Sequence, residues 1–257
     1  MLRIKSVEHV DIPLISDFCR DKILGTKVMC QINAYGLERD FLSAWKCTDT
    51  DRLYGIICKF EDSITFVGCC GKYTEDIKLF LEMIGYRQLC CAYSAAEELG
   101  YTDCVTKKGY VYSGKYEGDT FGDLTEEYYK DCYSLISEHI SGSFENTAEA
   151  YLSFLSDFTY RKRRGLARIK GCTEDGELYS CALTSAETKN SAMISGVVCS
   201  PKGRNNGVGK KTVLSVAMEL HTENKKAYLI ALNESAEGFY EHIGFEFKEN
   251  ISFIERK

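Results

Sequence analysis

Apolar positions change period along the chain in an order that repeats. From Val197 the sequence reads V-V-C-S-P-K-G-R-N-N-G-V-G, an apolar strand end followed by a polar, glycine-bearing turn. Val213, Val216, Ala217 and Leu220 then recur at the spacing of one helix face. Residues 227–232 (A-Y-L-I-A-L) predict a short buried strand, and Asn233-Glu234-Ser235-Ala236 opens a helix carrying Phe239, Tyr240 and Ile243 before Gly244-Phe245. The first half of the chain shows a similar succession: a hairpin over 53–59 and 63–70 turning at Glu61-Asp62, a helix over 75–84, a strand over 88–93 and a short helix over 94–99. Between the halves, residues 113–119 are polar and glycine-bearing, as in a linker. Helices are then expected near 126–140 and 147–161, the second placing Tyr151, Leu152, Leu155 and Phe158 on one face. This pattern divides the chain into an N-terminal α/β domain over 1–118 and a larger one over 119–257.

The turn after Val197 carries the chemistry. A strand, a glycine turn and a helix in direct succession aim consecutive backbone N–H groups at one place, where the helix dipole adds its positive end, and a pyrophosphate can be held there by main chain. Gly207 and Gly209 lack the Cβ that would keep such a group at a distance, and Arg204 and Lys210 bring mobile positive charge to either side.

Arg204-x-x-Gly207-x-Gly209, followed by Asn233-x-x-Ala236-x-x-x-Tyr240-x-x-x-Gly244-Phe245, resembles the GCN5-related N-acetyltransferase (GNAT) superfamily. The resemblance is specific from about Gly165 to Phe247. It implies a mixed α/β (α+β) fold with a mostly antiparallel central sheet flanked by helices, and acetyl-coenzyme A as cosubstrate. By position, Arg204, Asn205, Asn206, Gly207, Val208, Gly209 and Lys210 would surround the pyrophosphate, and Val197 and Cys199 would offer backbone hydrogen bonds to the pantetheine arm. An N–H near Val198 or Cys199 would polarise the thioester carbonyl. Asn233 would bind pantetheine or position a water, and Tyr240, a phenol protonated at neutral pH, would donate to the departing sulfur. The acceptor implied is a primary amine of a small molecule or peptide, attacking directly in a ternary complex. The base is left open among Glu177, Glu187 and a water relay. The alternative is a non-catalytic acyl-coenzyme A sensor or scaffold on the same fold.

The N-terminal half reads as a smaller, degenerate GNAT-like domain. In place of the glycine turn it has Gly71-Lys72-Tyr73-Thr74-Glu75-Asp76, where Thr74 is expected to cap the helix and two carboxylates would oppose a pyrophosphate.

A formal net charge of −6 argues against a nucleic-acid binder and against a reaction using charged tRNA. The 13 cysteines are odd in number and show no Cys-x-x-Cys pair, which fits reduced thiols in a cytoplasmic protein better than a disulfide scaffold or a metal centre. The four histidines have no metal-ligand spacing, so no metal is expected. No signal-peptide pattern and no run of transmembrane length occurs, so no membrane partner is expected. The pattern does not fix an oligomeric state.

Overall fold

The computed structural model describes residues 1–50, 52–140 and 145–256. Its contacts form two compact units, each discontinuous in sequence: Met1–Tyr110 with Ile230–Gly238 and Phe247–Lys257, and Val111–Leu229 with Phe239–Glu246.

The first unit contains β1 (Arg3–Ser6), α1 (Ile12–Cys19), α2 (Ile23–Tyr35), β2 (Leu42–Asp49), β3 (Arg52–Phe60), β4 (Ser63–Gly68), α3 (Thr74–Ile84), β5 (Gln88–Ala92), α4 (Tyr93–Glu98) and most of β6 (Val105–Tyr112). The hairpin expected from alternation is β3 and β4, antiparallel, turning through Glu61 at φ +52. β5 then runs parallel to β4, but only over Ser63↔Gln88, Ile64↔Leu89 and Thr65↔Cys90. Leu81 and Ile77 of α3 are fully buried against Ile57, Ile64 and Leu89 of the sheet, which is the burial that makes this amphipathic helix stable.

Thr74 is not the cap of α3. A single 3-10 turn, Gly71–Tyr73, precedes the helix and moves the cap position to Tyr73, while the Thr74 hydroxyl donates to Gly71 O at 2.9 Å. The turn's own N–H groups are used internally: Cys70 and Gly71 donate to Glu98 Oε2 at 2.7 and 2.9 Å. A carboxylate from α4 thus sits where the turn would otherwise present donors to an outside anion.

The second unit contains α5 (Tyr129–His139), α6 (Ala148–Lys162), β7 (Ile169–Glu174), β8 (Glu177–Glu187), β9 (Ser191–Cys199), α7 (Val208–Thr222) and most of β10 (Lys226–Ile230). α8 (Glu234–His242) and β11 (Phe245–Glu255) follow in the chain. The strand order here is β10-β9-β8-β7, antiparallel except for β9 with β10. The central sheets are therefore mixed and mostly antiparallel, with helices on their faces, as the resemblance implied.

α6 starts where expected, Thr147 Oγ1 accepting from Ala150 N–H at 3.2 Å. Tyr151, Leu155 and Phe158 lie on its packed face as expected, but Leu152 does not. Leu152 is 62% exposed, and Phe154 instead stacks on the buried Phe158 with ring centroids 5.5 Å apart. Spacing alone cannot distinguish these faces, because i, i+3 and i+4 sets starting at 151 and at 154 overlap.

α7 is anchored near both ends by polar groups. Near its start the Thr212 and Ser180 hydroxyls share a fully buried hydrogen bond to β8. Towards its other end Arg168 of the segment before β7 binds Glu187, Glu219 at 2.7 Å and Glu223 at 2.9 Å, while Lys225 reaches Glu187 and Glu223 at 2.7 Å each. The Arg168 hydrogen bonds hold the Glu223 carboxyl down to about 2.

Candidate active site

β9 and β10 pair only over Lys226↔Ser191, Ala227↔Ala192 and Tyr228↔Met193. From residue 194 onward β9 keeps its partner β8 but has no register with β10, so the two strands splay. Which main-chain groups face the opening follows from alternation. Ser200 N–H donates to Tyr179 O at 2.9 Å, and Cys181↔Val198 is the hydrogen-bonded register two residues earlier. Cys199, between these two positions, directs its N–H and C=O groups to the opened edge, whereas Val197 lies in a β-bulge where the register with β8 shifts between Cys181 and Leu183. Val198 itself directs its main chain to β8.

The chain leaves β9 through a 3-10 turn, Pro201–Gly203, whose start is sealed by Ser200: its Oγ accepts from Gly203 N–H at 3.2 Å. A Cβ on Gly203 would lie 2.6 Å from Tyr179 O. Ser200 and Gly203 set the turn against β8 without having been singled out from the sequence, although Ser-Pro before a turn is a recognisable cap signal.

Asn205 at φ +63 and Gly207 at φ +74 then bring the chain into α7, with Gly207 at its N-cap. Lys211 N–H, the first to be taken up, donates to Gly207 O at 3.0 Å. Among the described residues, the seven N–H groups from Arg204 to Lys210 have no protein acceptor. The first turn of any helix leaves such donors, but here the preceding loop extends the series. Arg204 and Lys210 have no carboxylate partner among the described residues. The Asn206 side chain, by contrast, is used within the loop, donating to Lys202 O at 3.2 Å.

The two glycines singled out from the sequence have different reasons for being glycine. A Cβ on Gly207 would meet nothing within 4 Å, so its backbone conformation and the open space before it are what the position supplies. A Cβ on Gly209 would lie 2.7 Å from Cys199 Sγ. Gly209 is thus needed first for packing the start of α7 on the end of β9. Gly209→Ala is expected to lower thermal stability, and Cys199→Ala in the same chain to restore most of the loss, because the contact partner is then gone. Two melting points below the wild type by additive amounts would refute this pairing.

Tyr240 lies on α8 in an aromatic setting, 5.4 Å from the Phe239 ring and 5.8 Å from that of Phe245. It is 8% exposed, and burial pushes its phenol up to about 12. Its hydroxyl has no hydrogen-bond partner among the described residues. Asn233, in the segment grouped with the first unit, caps α8: its Oδ1 accepts from Ala236 N–H at 2.9 Å and its carbonyl from Glu237 N–H at 3.0 Å. The Asn233 amide NH2 has no partner among the described residues.

Glu187 is unavailable as a base. It is fully buried, and its carboxylate accepts from Arg168, Lys225 and, at 3.3 Å, Thr184. Glu177 is exposed and pairs with Lys202 at 2.5 Å. Burial raises the Cys199 thiol above its ordinary range, with Arg204 opposing, which disfavours the thiolate a nucleophile needs. Among the described residues no group of three metal-binding side chains occurs, and no helix is long and apolar enough to cross a membrane.

Residues 174–254 match the family model of FR47-like proteins, which spans β8 through most of β11 and includes the turn, α7 and α8. No curated protein matches the chain by sequence. Among solved structures, the tandem GNAT protein from the clavulanic acid biosynthesis pathway is similar at 12% identity and a TM-score of 0.63, covering 99% of this chain and 98% of that one. A GCN5-related N-acetyltransferase from Sphaerobacter thermophilus gives 13% identity and a TM-score of 0.60 over 99% and 95% of the two chains. A GNAT-family acetyltransferase from Colwellia psychrerythraea gives 12% and 0.59 over 99% and 100%. At these identities the structures establish the fold, and the FR47-like match adds a sequence relationship over the residues that build the splayed strands and turn. The chain has the GNAT fold, and residues 174–254 of it match the FR47-like family model.

Proposed function

We propose that the second unit binds acetyl-coenzyme A and that the chain transfers the acetyl group to a primary amine by direct attack in a ternary complex. The observation that carries this reading is the series of N–H groups from Arg204 to Lys210, without protein acceptors, beside the opened edge of β9. The residues fit the group. The turn offers consecutive donors, Gly207 leaves open space before them, and Arg204 and Lys210 add charge of the required sign.

When bound, acetyl-coenzyme A supplies an activated thioester. In this reading Arg204, Asn205, Asn206, Gly207, Val208, Gly209 and Lys210 hold its diphosphate. The main chain of Cys199 orients the arm along the strand edge, and the Cys199 N–H is the donor suited to the carbonyl oxygen. Val198 contributes by fixing β9 to β8. Assignment of the Val197 main chain and the Asn233 amide to the pantetheine rests on the sequence resemblance.

Tyr240 stays protonated throughout the neutral range. Its raised pKa makes complete proton transfer to a thiolate of pKa about 8.5 unfavourable, so its contribution is a hydrogen bond that stabilises charge growing on sulfur. With Glu187 consumed by Arg168 and Lys225, and Glu177 paired with Lys202, the amine's proton leaves through water.

The saturation of Glu187 is also the observation that favours a second reading, an acyl-coenzyme A sensor without turnover. Thiol release from acetyl-coenzyme A in the presence of a polyamine, free amino acids and a peptide with a free N-terminus separates the two. Release dependent on at least one amine is expected. Binding without release on any amine would favour the sensor, and absence of binding would contradict both.

The first unit is in this proposal a GNAT-like unit that does not take the cofactor, because Glu98 already satisfies the turn donors at Cys70 and Gly71.

A further inference from the structure

The first unit has a cavity of about 420 Å³ at the fork where β4 and β5 part after Thr65↔Cys90. Phe66 and Gly68 of β4 and Ala92 of β5 line the fork, and Phe18 of α1 and Tyr54 of β3 add two further aromatic walls. Its volume lies within the roughly 300–1,000 Å³ typical of small-molecule sites. Cys69 N–H donates to Tyr54 O at 3.2 Å, so the neighbouring Gly68 directs its main-chain groups away from β3 and towards the fork.

Five charged residues line this cavity: Lys22, Arg52 and Lys248 against Asp21 and Glu249. Glu249 accepts from Ile23 N–H at 3.4 Å, and Asp21 and Lys248 have protein partners. Lys22 and Arg52 have no carboxylate partner among the described residues. Each lies on an aromatic wall, Lys22 Nζ 3.9 Å from the Phe18 ring centroid while also donating to Phe18 O, and the Arg52 guanidinium 4.9 Å from the Tyr54 centroid. Two cations outside any ion pair with a described residue therefore stand on aromatic rings at this cavity, whose wall carries three cations and two carboxylates. The Glu98 carboxylate on Cys70 and Gly71 makes the adjoining turn unsuitable for a diphosphate.

We propose that this cavity is a second binding site, for a small organic carboxylate with an aromatic body and no nucleotide tail. The ring stacks between Phe18 and Tyr54, and the carboxylate meets Arg52 and Lys22 at the rim. The site is separate from the proposed acetyl-coenzyme A turn and does not rest on it.

The test is calorimetric titration of the full chain with 3-phenylpropanoate, using 3-phenylpropylamine as the cation of similar shape, with and without saturating coenzyme A. Saturable binding of the carboxylate alone, unaffected by coenzyme A, is expected. Arg52 is exposed, so Arg52→Gln should leave the melting temperature unchanged while weakening the carboxylate at least about tenfold, equivalent to 1.4 kcal/mol. Lys22→Gln should weaken it in the same direction. The proposal is overturned if the carboxylate does not bind, if the amine binds as well, if coenzyme A displaces the carboxylate, or if both variants bind like the wild type.

Discussion

Gly207→Asp should bind acetyl-coenzyme A at least about 100-fold more weakly than the wild-type chain, whereas Gly207→Asn should stay within a few-fold of it. Both side chains tolerate the left-handed conformation that Gly207 adopts at φ +74, and Asn205 already occupies that region two residues earlier at φ +63. Neither meets protein, because a Cβ at this position has nothing within 4 Å. The two variants therefore differ chiefly by one negative charge at the N-cap of α7. Unit charges 4 Å apart interact by about 4 kcal/mol at the effective dielectric of a protein surface, and about 2.7 kcal/mol corresponds to 100-fold in affinity. Calorimetry on the two purified variants makes the comparison. Equal affinities would place the diphosphate elsewhere.

Tyr240→Phe should leave the affinity for acetyl-coenzyme A and the melting temperature near wild type while lowering kcat roughly 100-fold, at the lower end of what one preorganised hydrogen-bond donor to a developing anion contributes. The Tyr240 hydroxyl has no protein partner among the described residues, so its removal orphans no hydrogen bond, and the ring contacts with Phe239 and Phe245 survive in phenylalanine. A structural role for this residue would produce the opposite result, a lowered melting point with unchanged turnover. Since the phenol lies at about 12, the wild-type rate should not decline through ionisation of Tyr240 anywhere in the neutral range. Steady-state kinetics with any active amine give the split between kcat and KM.

The local features of this chain could be read from its sequence because they depend on neighbours a few positions apart. The stripe of Val213, Val216, Ala217 and Leu220 is the fully buried face of α7, and Thr147 and Asn233 both cap the helices that follow them. Features that depend on distant partners were hidden. Nothing near Gly209 indicates that its missing Cβ accommodates Cys199. Nothing around Glu187 in the sequence marks it as unavailable for a base's role, because the groups on its carboxylate, Arg168 and Lys225, lie 19 and 38 positions away. The Glu98 carboxylate reaches back 28 and 27 residues to Cys70 and Gly71, so the first unit's turn is satisfied by a residue outside the motif altogether. The cap of α3 differs from the Thr74 expected for a local reason: a single 3-10 turn shifts a helix start without changing the apolar period. The grouping of 247–257 with the first unit likewise has no sequence marker, since a strand's partner is not encoded in its own alternation.

Amide hydrogen exchange of the full chain with and without acetyl-coenzyme A measures the central claim at the atoms concerned. Slowed exchange concentrated on residues 204–210, with residues 70–71 unchanged, is the expected result. Saturating acetyl-coenzyme A that leaves 204–210 exchanging as in the free chain would contradict the account, wherever else protection arose.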